Sequence, residues 1–206
     1  MDIKTSTKNK FLTAQARESL TGNWGLVIGT VAVYLLIISA IEAIPKSGGI
    51  SLLISGPFTL GWTFFSLSLA HKQKTKLSDI FLGFKNFGPA IGLFFLELIF
   101  IFLWALLLII PGIIAAIAYS QAYFIIAEND SIGPLEAITK SKQMIKGFKW
   151  KYFCLYLRFA GWTFLCILTL GIGFLWLFPY ILVSFANFYD DIKGIKMETE
   201  KAQTTE

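Results

Sequence analysis

The chain alternates between long apolar runs and shorter polar stretches that are rich in lysine. The apolar runs cover residues 24–44, 51–70, 91–127, 153–168 and 174–189. A helix needs about 20 apolar residues to cross the ~30 Å hydrocarbon core of a bilayer. The run at 91–127 is too long for one crossing, and Pro111-Gly112 divides it, because proline removes a backbone donor and clashes with the preceding turn. The pattern predicts about six transmembrane helices.

Composition strengthens the membrane assignment. Of the 206 residues, 55% are hydrophobic and only 15% are charged, whereas a soluble domain carries about 25% charged residues. A soluble globule, a disordered chain and a disulfide scaffold are therefore excluded. We predict an all-α, polytopic membrane helical bundle at 24–189. It would be preceded by a cytoplasmic amphipathic segment at 1–23 and followed by a cytoplasmic polar tail at 190–206, which we expect to be disordered.

The positive charges are strongly asymmetric along the chain. Sixteen of the 18 Lys and Arg residues lie at 1–23, 71–90, 128–152 and 190–206, and the opposite side holds only Lys46. Because basic loops stay in the cytoplasm, this asymmetry predicts that both termini are cytoplasmic and that the protein spans the cell membrane, the inner or plasma membrane. Basic residues beside spans attract anionic lipid headgroups. Their position argues against a nucleic-acid partner.

One unit recurs three times along the chain: a short amphipathic segment, a glycine followed by aromatic residues, and a two-span hairpin. Such short segments can lie in the membrane interface with their lysines in water. The order predicts an internal repeat of three hairpins, with chance recurrence as the alternative. Aromatic rings collect at the headgroup level, and the inner-interface anchors would be Trp24, Phe87 and Trp150.

The second helix of each hairpin carries a proline near its outer end. Proline marks the start or a kink of a membrane helix. We therefore predict a helix break or turn at Pro57, Pro111, Gly112 and Pro179.

Ionisable residues inside a span are costly and raise the expectation of function. Glu97 and Arg158 both lie about 8–9 Å from the inner ends of their spans, at ~1.5 Å per residue. Three interpretations stay open. The two residues form an intramembrane ion pair, Arg158 snorkels alone to the headgroups, or Glu97 is a proton or cation site.

Other polar residues interrupt the fourth and sixth spans. Interhelical hydrogen bonds are their usual role in membranes, and an intramembrane polar site is the alternative. These residues are Tyr119, Ser120, Gln121 and Asn187.

No motif for catalysis is present. The chain has one histidine, His71, and two cysteines twelve residues apart in one apolar run. It lacks a phosphate-binding glycine loop, a paired-histidine zinc motif and a Gly-x-Ser-x-Gly elbow. We therefore expect no enzyme activity, no cofactor and no metal site.

The chain resembles the bacterial integral membrane family known as domain of unknown function 975, over roughly residues 14–191. The motifs that carry the likeness are Ala16 to Gly25, Asp79-Ile80-Phe81, Gly83-Phe84, Leu103-Trp104, Ile109 to Ile114, Glu136-Ala137-Ile138, Ser141-Lys142, Gly161-Trp162, Thr169 to Gly173, Pro179-Tyr180 and Phe188-Tyr189. The chain is also distantly similar to the membrane domain of some glycerophosphodiester phosphodiesterases. The resemblance implies a multi-span inner-membrane protein without an assigned activity, and no functional residue can be transferred from it.

Two functions fit the sequence. The first is a non-enzymatic membrane protein that binds lipid or a membrane protein partner through its basic cytoplasmic face. The alternative is a small transporter or permease with a polar site inside the helix bundle. A packed centre with a lipid-facing groove would favour binding, and a continuous polar path through the bundle would favour transport.

Overall fold

The computed structural model describes residues 7–44, 48–169 and 171–204. Lys4 and Lys46, both used above to orient the chain, lie outside the described residues. The described residues form α-helices, one 3₁₀ helix and no strands. The elements are α1 (Asn9–Leu20), α2 (Trp24–Glu42), α3 (Gly48–Ala70), the 3₁₀ helix Leu77–Phe84, α4 (Phe87–Leu107), α5 (Ile109–Tyr119), α6 (Ala122–Glu128), α7 (Pro134–Met144), α8 (Lys149–Leu168) and α9 (Phe174–Thr204).

Five helical stretches are long and apolar enough to cross a membrane. They are α2, α3, α4, the α5–α6 stretch and α8. The all-α membrane bundle is therefore confirmed. The sixth predicted span, at 174–189, forms the first half of α9. Polar residues follow it directly and α9 is not one of the five, so the sixth crossing stays a prediction.

A short helix precedes each pair of long helices. The short helices are α1, the 3₁₀ helix and α7, and each leads into a first long helix (α2, α4 or α8) and then a second (α3, α5–α6 or α9). This element order agrees with the predicted three hairpins. The internal repeat itself stays a prediction.

The first and second long helices occupy different layers. We compared the most apolar 18-residue segment of each long helix. In α3 and in the α5–α6 stretch, 56% of this segment is buried, whereas in α2, α4 and α8 only 11–17% is buried. The second helices also meet one another. α3 packs on both α6 and α9, and the rings of Phe124 in α6 and Tyr189 in α9 stack at 5.1 Å. The second helices thus form the core, and the first helices form the outer, lipid-facing layer.

The short helices turn their apolar faces toward the protein rather than toward lipid. Leu12, Ala16 and Leu20 of α1 are fully buried, as are Ile80 of the 3₁₀ helix and Ala137 of α7. We expected these segments to lie in the membrane interface. The structure shows that their apolar stripes fill the crevices between long helices, and their location in the membrane interface stays a prediction.

Two of the predicted helix breaks are wrong. Pro57 lies inside α3 and Pro179 inside α9, and neither helix is interrupted. Membrane helices tolerate proline where neighbouring helices and hydroxyl side chains satisfy the freed backbone groups. The third break exists but lies at Leu108, which separates α4 from α5. Pro111 and Gly112 then fall in the first turn of α5, where proline removes no helical hydrogen bond.

The predicted disorder of the tail is also wrong for the residues that the structure describes. α9 continues without a break to Thr204. Ile192 and Ile195 bury their side chains, and Lys193 pairs with Glu128 at 2.6 Å. These contacts continue the apolar stripe of α9 beyond the predicted end of the membrane segment and hold the chain in helical form.

The predicted interface anchors all lie where the first helix of a hairpin begins. Trp24 and Phe87 are the first residues of α2 and α4, and Trp150 is the second residue of α8. Gly22 and Gly147 supply the preceding turns with φ values of +86° and +93°, which glycine adopts readily. The position of the anchors relative to a bilayer stays a prediction.

Candidate functional site

The α5–α6 stretch is broken at Ser120 and Gln121, inside one of the five apolar stretches. The Ser120 hydroxyl donates to the Ile117 carbonyl at 2.8 Å and accepts from the Gln121 side-chain amide at 2.7 Å. Gln121 is completely buried. The sequence singled out these two residues as polar positions inside a span, but it did not predict that the helix ends there, and a polar functional site at this place stays a prediction.

Ser141 of α7 closes the break from the side. Its hydroxyl accepts from the Gln121 backbone N–H at 3.1 Å and donates to the Ala118 carbonyl at 2.7 Å. Both backbone groups lose their helical partner at the break and would otherwise be unsatisfied. Sequence reasoning noted Ser141 only as a family residue, because a serine of one helix carries no signal of a break in another.

Glu97 approaches the same region from α4. Tyr123 of α6 and Tyr152 of α8 lie within electrostatic reach of its carboxyl group, and Tyr152 also lies close to Ser120. Three buried oxygens here have no hydrogen-bond partner among the described residues: Glu97 Oε1, Gln121 Oε1 and the Tyr123 hydroxyl. We call Glu97, Ser120, Gln121, Tyr123 and Tyr152 the Glu97 cluster.

The predicted ion pair between Glu97 and Arg158 is wrong. Within the described residues no ion pair joins them, and the Arg158 side chain is exposed. The packed residues of α8 are Leu155, Phe159 and Cys166. Arg158 therefore faces outward, and equal depth along two helices did not bring the two charges to the same side.

The other predicted polar residues lie elsewhere. Tyr119 packs against Phe100, with ring centroids 6.0 Å apart, and the Lys142 ammonium lies 5.2 Å from its ring. The Asn187 side chain donates to the Leu12 carbonyl at 3.2 Å and so joins α9 to α1. The four residues do not form one polar site.

Asn187 instead lines a polar cavity of about 430 Å³ at the end of the bundle that carries Lys72, Lys151 and Lys193, the lysine-rich end. Two ion pairs and a hydrogen bond surround this cavity: Lys72 with Glu18 at 2.6 Å, Lys151 with Asp191 at 2.6 Å, and His71 with Asp190 at 2.9 Å. The charged groups around the cavity thus already have partners in the protein, which makes it a poor site for a charged ligand.

The two neighbouring aspartates of this end have opposite electrostatic surroundings. Burial raises the pKa of Asp190, and the nearby His71 opposes this effect only in part. Burial acts in the same direction on Asp191, but hydrogen bonds from Lys151 and Thr7 outweigh it and hold the pKa of Asp191 below its usual value. Asp191 is therefore a structural anion that ties α9 to α8 and to the N-terminal segment.

A separate groove opens on the outer surface. It measures about 250 Å³ and its lining is mainly apolar: Arg17, Trp24, Trp162, Cys166, Gly173, Trp176, Leu177 and Tyr180. Trp162 and Trp176 are half exposed. Arg17 is the only charged residue in the lining, and its guanidinium lies 5.9 Å from the centre of the Tyr180 ring. Sequence reasoning missed this groove, because its residues come from segments that are far apart in the chain.

One comparison with known proteins gave a match. The model of the family described as "Protein of unknown function (DUF975)" matches residues 105–196, from the end of α4 into α9. No curated protein and no solved structure matches the chain, so the distant likeness to the phosphodiesterase membrane domain stays a prediction. The main resemblance is thus confirmed over the matched range: residues 105–196 of this membrane-embedded helical protein are similar to the family of unknown function DUF975.

Proposed function

We propose that the protein is a non-enzymatic membrane protein that binds an anionic phospholipid. The Arg17 groove, defined by the eight residues named above, would hold the lipid, with the phosphate at Arg17 and an acyl chain along the tryptophans. The observation that carries the proposal is the combination of one cation with an otherwise apolar, outward-facing lining. A phospholipid combines the same two chemistries in one molecule.

The state of Arg17 supports this assignment. It forms no ion pair within the described residues, whereas Lys72, Lys151 and Lys193 are each paired with a carboxylate. The Tyr180 ring orients the guanidinium without neutralising it. A planar guanidinium binds phosphate through paired hydrogen bonds. Arg17 is thus a charge that is positioned by the protein and still available to an anion.

The core of the molecule supports binding rather than passage. The second half of α3 is buried almost throughout, as are residues 121–126. At the lysine-rich end, Glu128 accepts hydrogen bonds from both Tyr189 and Lys193 at 2.6 Å. A ligand would therefore meet the protein from the surrounding lipid more readily than along its axis.

Transport is the second candidate function, and the break between α5 and α6 favours it. Broken membrane helices often line the substrate sites of transporters. However, Asn187 lies in the cavity at the lysine-rich end and the Glu97 cluster lies at the α5–α6 break. Two separate polar regions fit transport less well than a single connected path would.

Quenching of tryptophan fluorescence by brominated lipids tests the lipid proposal. The protein is reconstituted in nanodiscs of phosphatidylcholine and phosphatidylglycerol, with the bromine on one lipid or the other at equal mole fractions. We expect brominated phosphatidylglycerol to quench more strongly, because three of the six tryptophans line the Arg17 groove. Arg17→Gln should remove this difference.

Arg158→Gln is the matched control, because Arg158 is an exposed arginine that does not line the groove. It should leave the preference for phosphatidylglycerol unchanged. Equal quenching by both lipids in the wild-type protein, or an equal loss of preference in both variants, would overturn the proposal.

A further inference from the structure

Glu97 is an acidic side chain held inside the bundle without any compensating charge. It lies in α4, one of the five apolar stretches. Its Oε1 atom is buried and has no hydrogen-bond partner, and no ion pair to its carboxyl group is formed within the described residues. The arginine that the sequence offered as its partner faces outward.

The groups that face Glu97 offer it no positive charge. The titratable residues within electrostatic reach are Tyr123 of α6 and Tyr152 of α8, both neutral phenols. Within the part of the chain that the structure describes, the other packed elements, α3, α5, α7 and the 3₁₀ helix, bring no lysine, arginine or histidine close enough to act on it. An isolated carboxylate in an apolar setting is strongly unfavourable, and such a group takes up a proton instead.

We propose that Glu97 is a proton-binding site and that its carboxyl group is protonated at neutral pH. The ligand is a proton, taken from water onto the carboxylate to give a neutral carboxylic acid. This inference does not depend on the proposed lipid binding, since Glu97 does not line the Arg17 groove.

A series of polar groups lies between the site and α7. Tyr152 lies within electrostatic reach of Glu97 and close to Ser120, the Ser120 hydroxyl accepts from the Gln121 side-chain amide, and the Gln121 backbone N–H donates to the Ser141 hydroxyl. On either side of Ser141, the exposed Lys140 and Lys142 lie on the outer face of α7. These polar groups lie between the Glu97 cluster and a lysine-bearing surface, and no hydrogen bond among the described residues links them to Glu97 Oε1.

Infrared difference spectroscopy of the detergent-solubilised protein at pH 7 tests the protonation directly. We expect the C=O stretching band of a protonated carboxylic acid, with a shift in D₂O, in the wild-type protein. The band should disappear in Glu97→Gln and persist in Glu42→Gln, in which the altered carboxyl is an exposed one near the end of α2. A wild-type protein without the band, or with one that survives Glu97→Gln, would overturn the proposal.

The pH dependence of unfolding provides a second measurement. The folded protein keeps a proton on Glu97 that the unfolded chain releases above a pH of about 4.3. The equilibrium constant for unfolding of the wild-type protein should therefore increase with pH between about pH 5 and 7. Relative to the constant of Glu97→Gln, it should increase by a factor of about ten for each pH unit. Parallel pH profiles for the two proteins would contradict the inference.

Discussion

At the scale of single residues, Gly61 and Gly83 determine how closely α3 and the 3₁₀ helix approach. A Cβ atom on Gly61 would overlap the Ile80 carbonyl oxygen, and one on Gly83 would overlap the Pro57 carbonyl oxygen. The obstacle is backbone in both cases, so no side-chain rotation can relieve it. Here a glycine is required by packing and not by its φ angle.

Gly61→Ala should destabilise the folded protein. The methyl group forces α3 and the 3₁₀ helix apart, and overpacking of this kind costs about 1–3 kcal/mol or more. The measurement is the unfolding midpoint in a denaturing detergent titration. Gly29→Ala is the matched control in α2, where an added Cβ meets nothing within 4 Å, and it should be neutral or slightly stabilising. Similar midpoints for the two variants would show that the close contact does not hold the helices.

Single residues also show what the sequence could and could not predict. Charge and hydropathy identify Glu97 and Gln121 as unusual, because a polar group inside an apolar run is visible in one dimension. The direction in which Arg158 points depends on which face of α8 is covered by neighbouring helices. The spacing of residues along the chain does not contain that information. For this reason the prediction of an ion pair between Glu97 and Arg158 was wrong.

At the scale of elements, the α5–α6 break depends on a hydroxyl from a third helix. Ser141 satisfies one donor and one acceptor of the interrupted backbone. The apolar pattern predicted the stretch as one span, since a break of two residues barely changes its hydropathy. The prolines led to the opposite error, because they predicted breaks where α3 and α9 are continuous. Contacts made after folding offset the local cost of each proline.

Ser141→Ala should weaken the packing of α7 on this break. Buried backbone groups that lose a partner cost about 1–3 kcal/mol, so we expect a lower thermal unfolding temperature in detergent. Thr139→Ala is the control, because Thr139 is exposed and its hydroxyl donates to the Leu135 carbonyl of its own helix. It should change stability by less than about 0.5 kcal/mol. If Thr139→Ala and Ser141→Ala behaved alike, the break would not need its outside partner.

At the scale of the whole molecule, an inner layer of second helices is surrounded by an outer layer of first helices. The apolar runs alone predicted the approximate limits of the five helical stretches that are long enough to cross a membrane. The apolar runs could not show which helices lie in the inner layer and which lie in the outer layer. Both α2 and α3 are apolar, because a lipid environment and a protein core favour the same types of residue.

Cysteine labelling tests the proposed orientation of this bundle. Two variants, Lys74→Cys and Ile172→Cys, are made in a protein that lacks Cys154 and Cys166. Lys74 lies in the connection after α3, and Ile172 lies in the turn before α9. Both positions are exposed. A membrane-impermeant maleimide should label Ile172→Cys in intact cells and Lys74→Cys only after permeabilisation, because basic connections stay in the cytoplasm. Labelling of Lys74→Cys from outside would reverse or exclude the topology.

The length of α9 has a consequence for anything attached to the end of this chain. Its 31 residues extend about 46 Å at ~1.5 Å per residue, whereas the hydrocarbon thickness of a bilayer is about 30 Å. If α9 begins with the predicted sixth crossing, about 16 Å of it, roughly three turns, extends beyond the hydrocarbon. A reporter joined after Thr204 would then be held at the end of a stiff helix, and would not trail along the membrane surface.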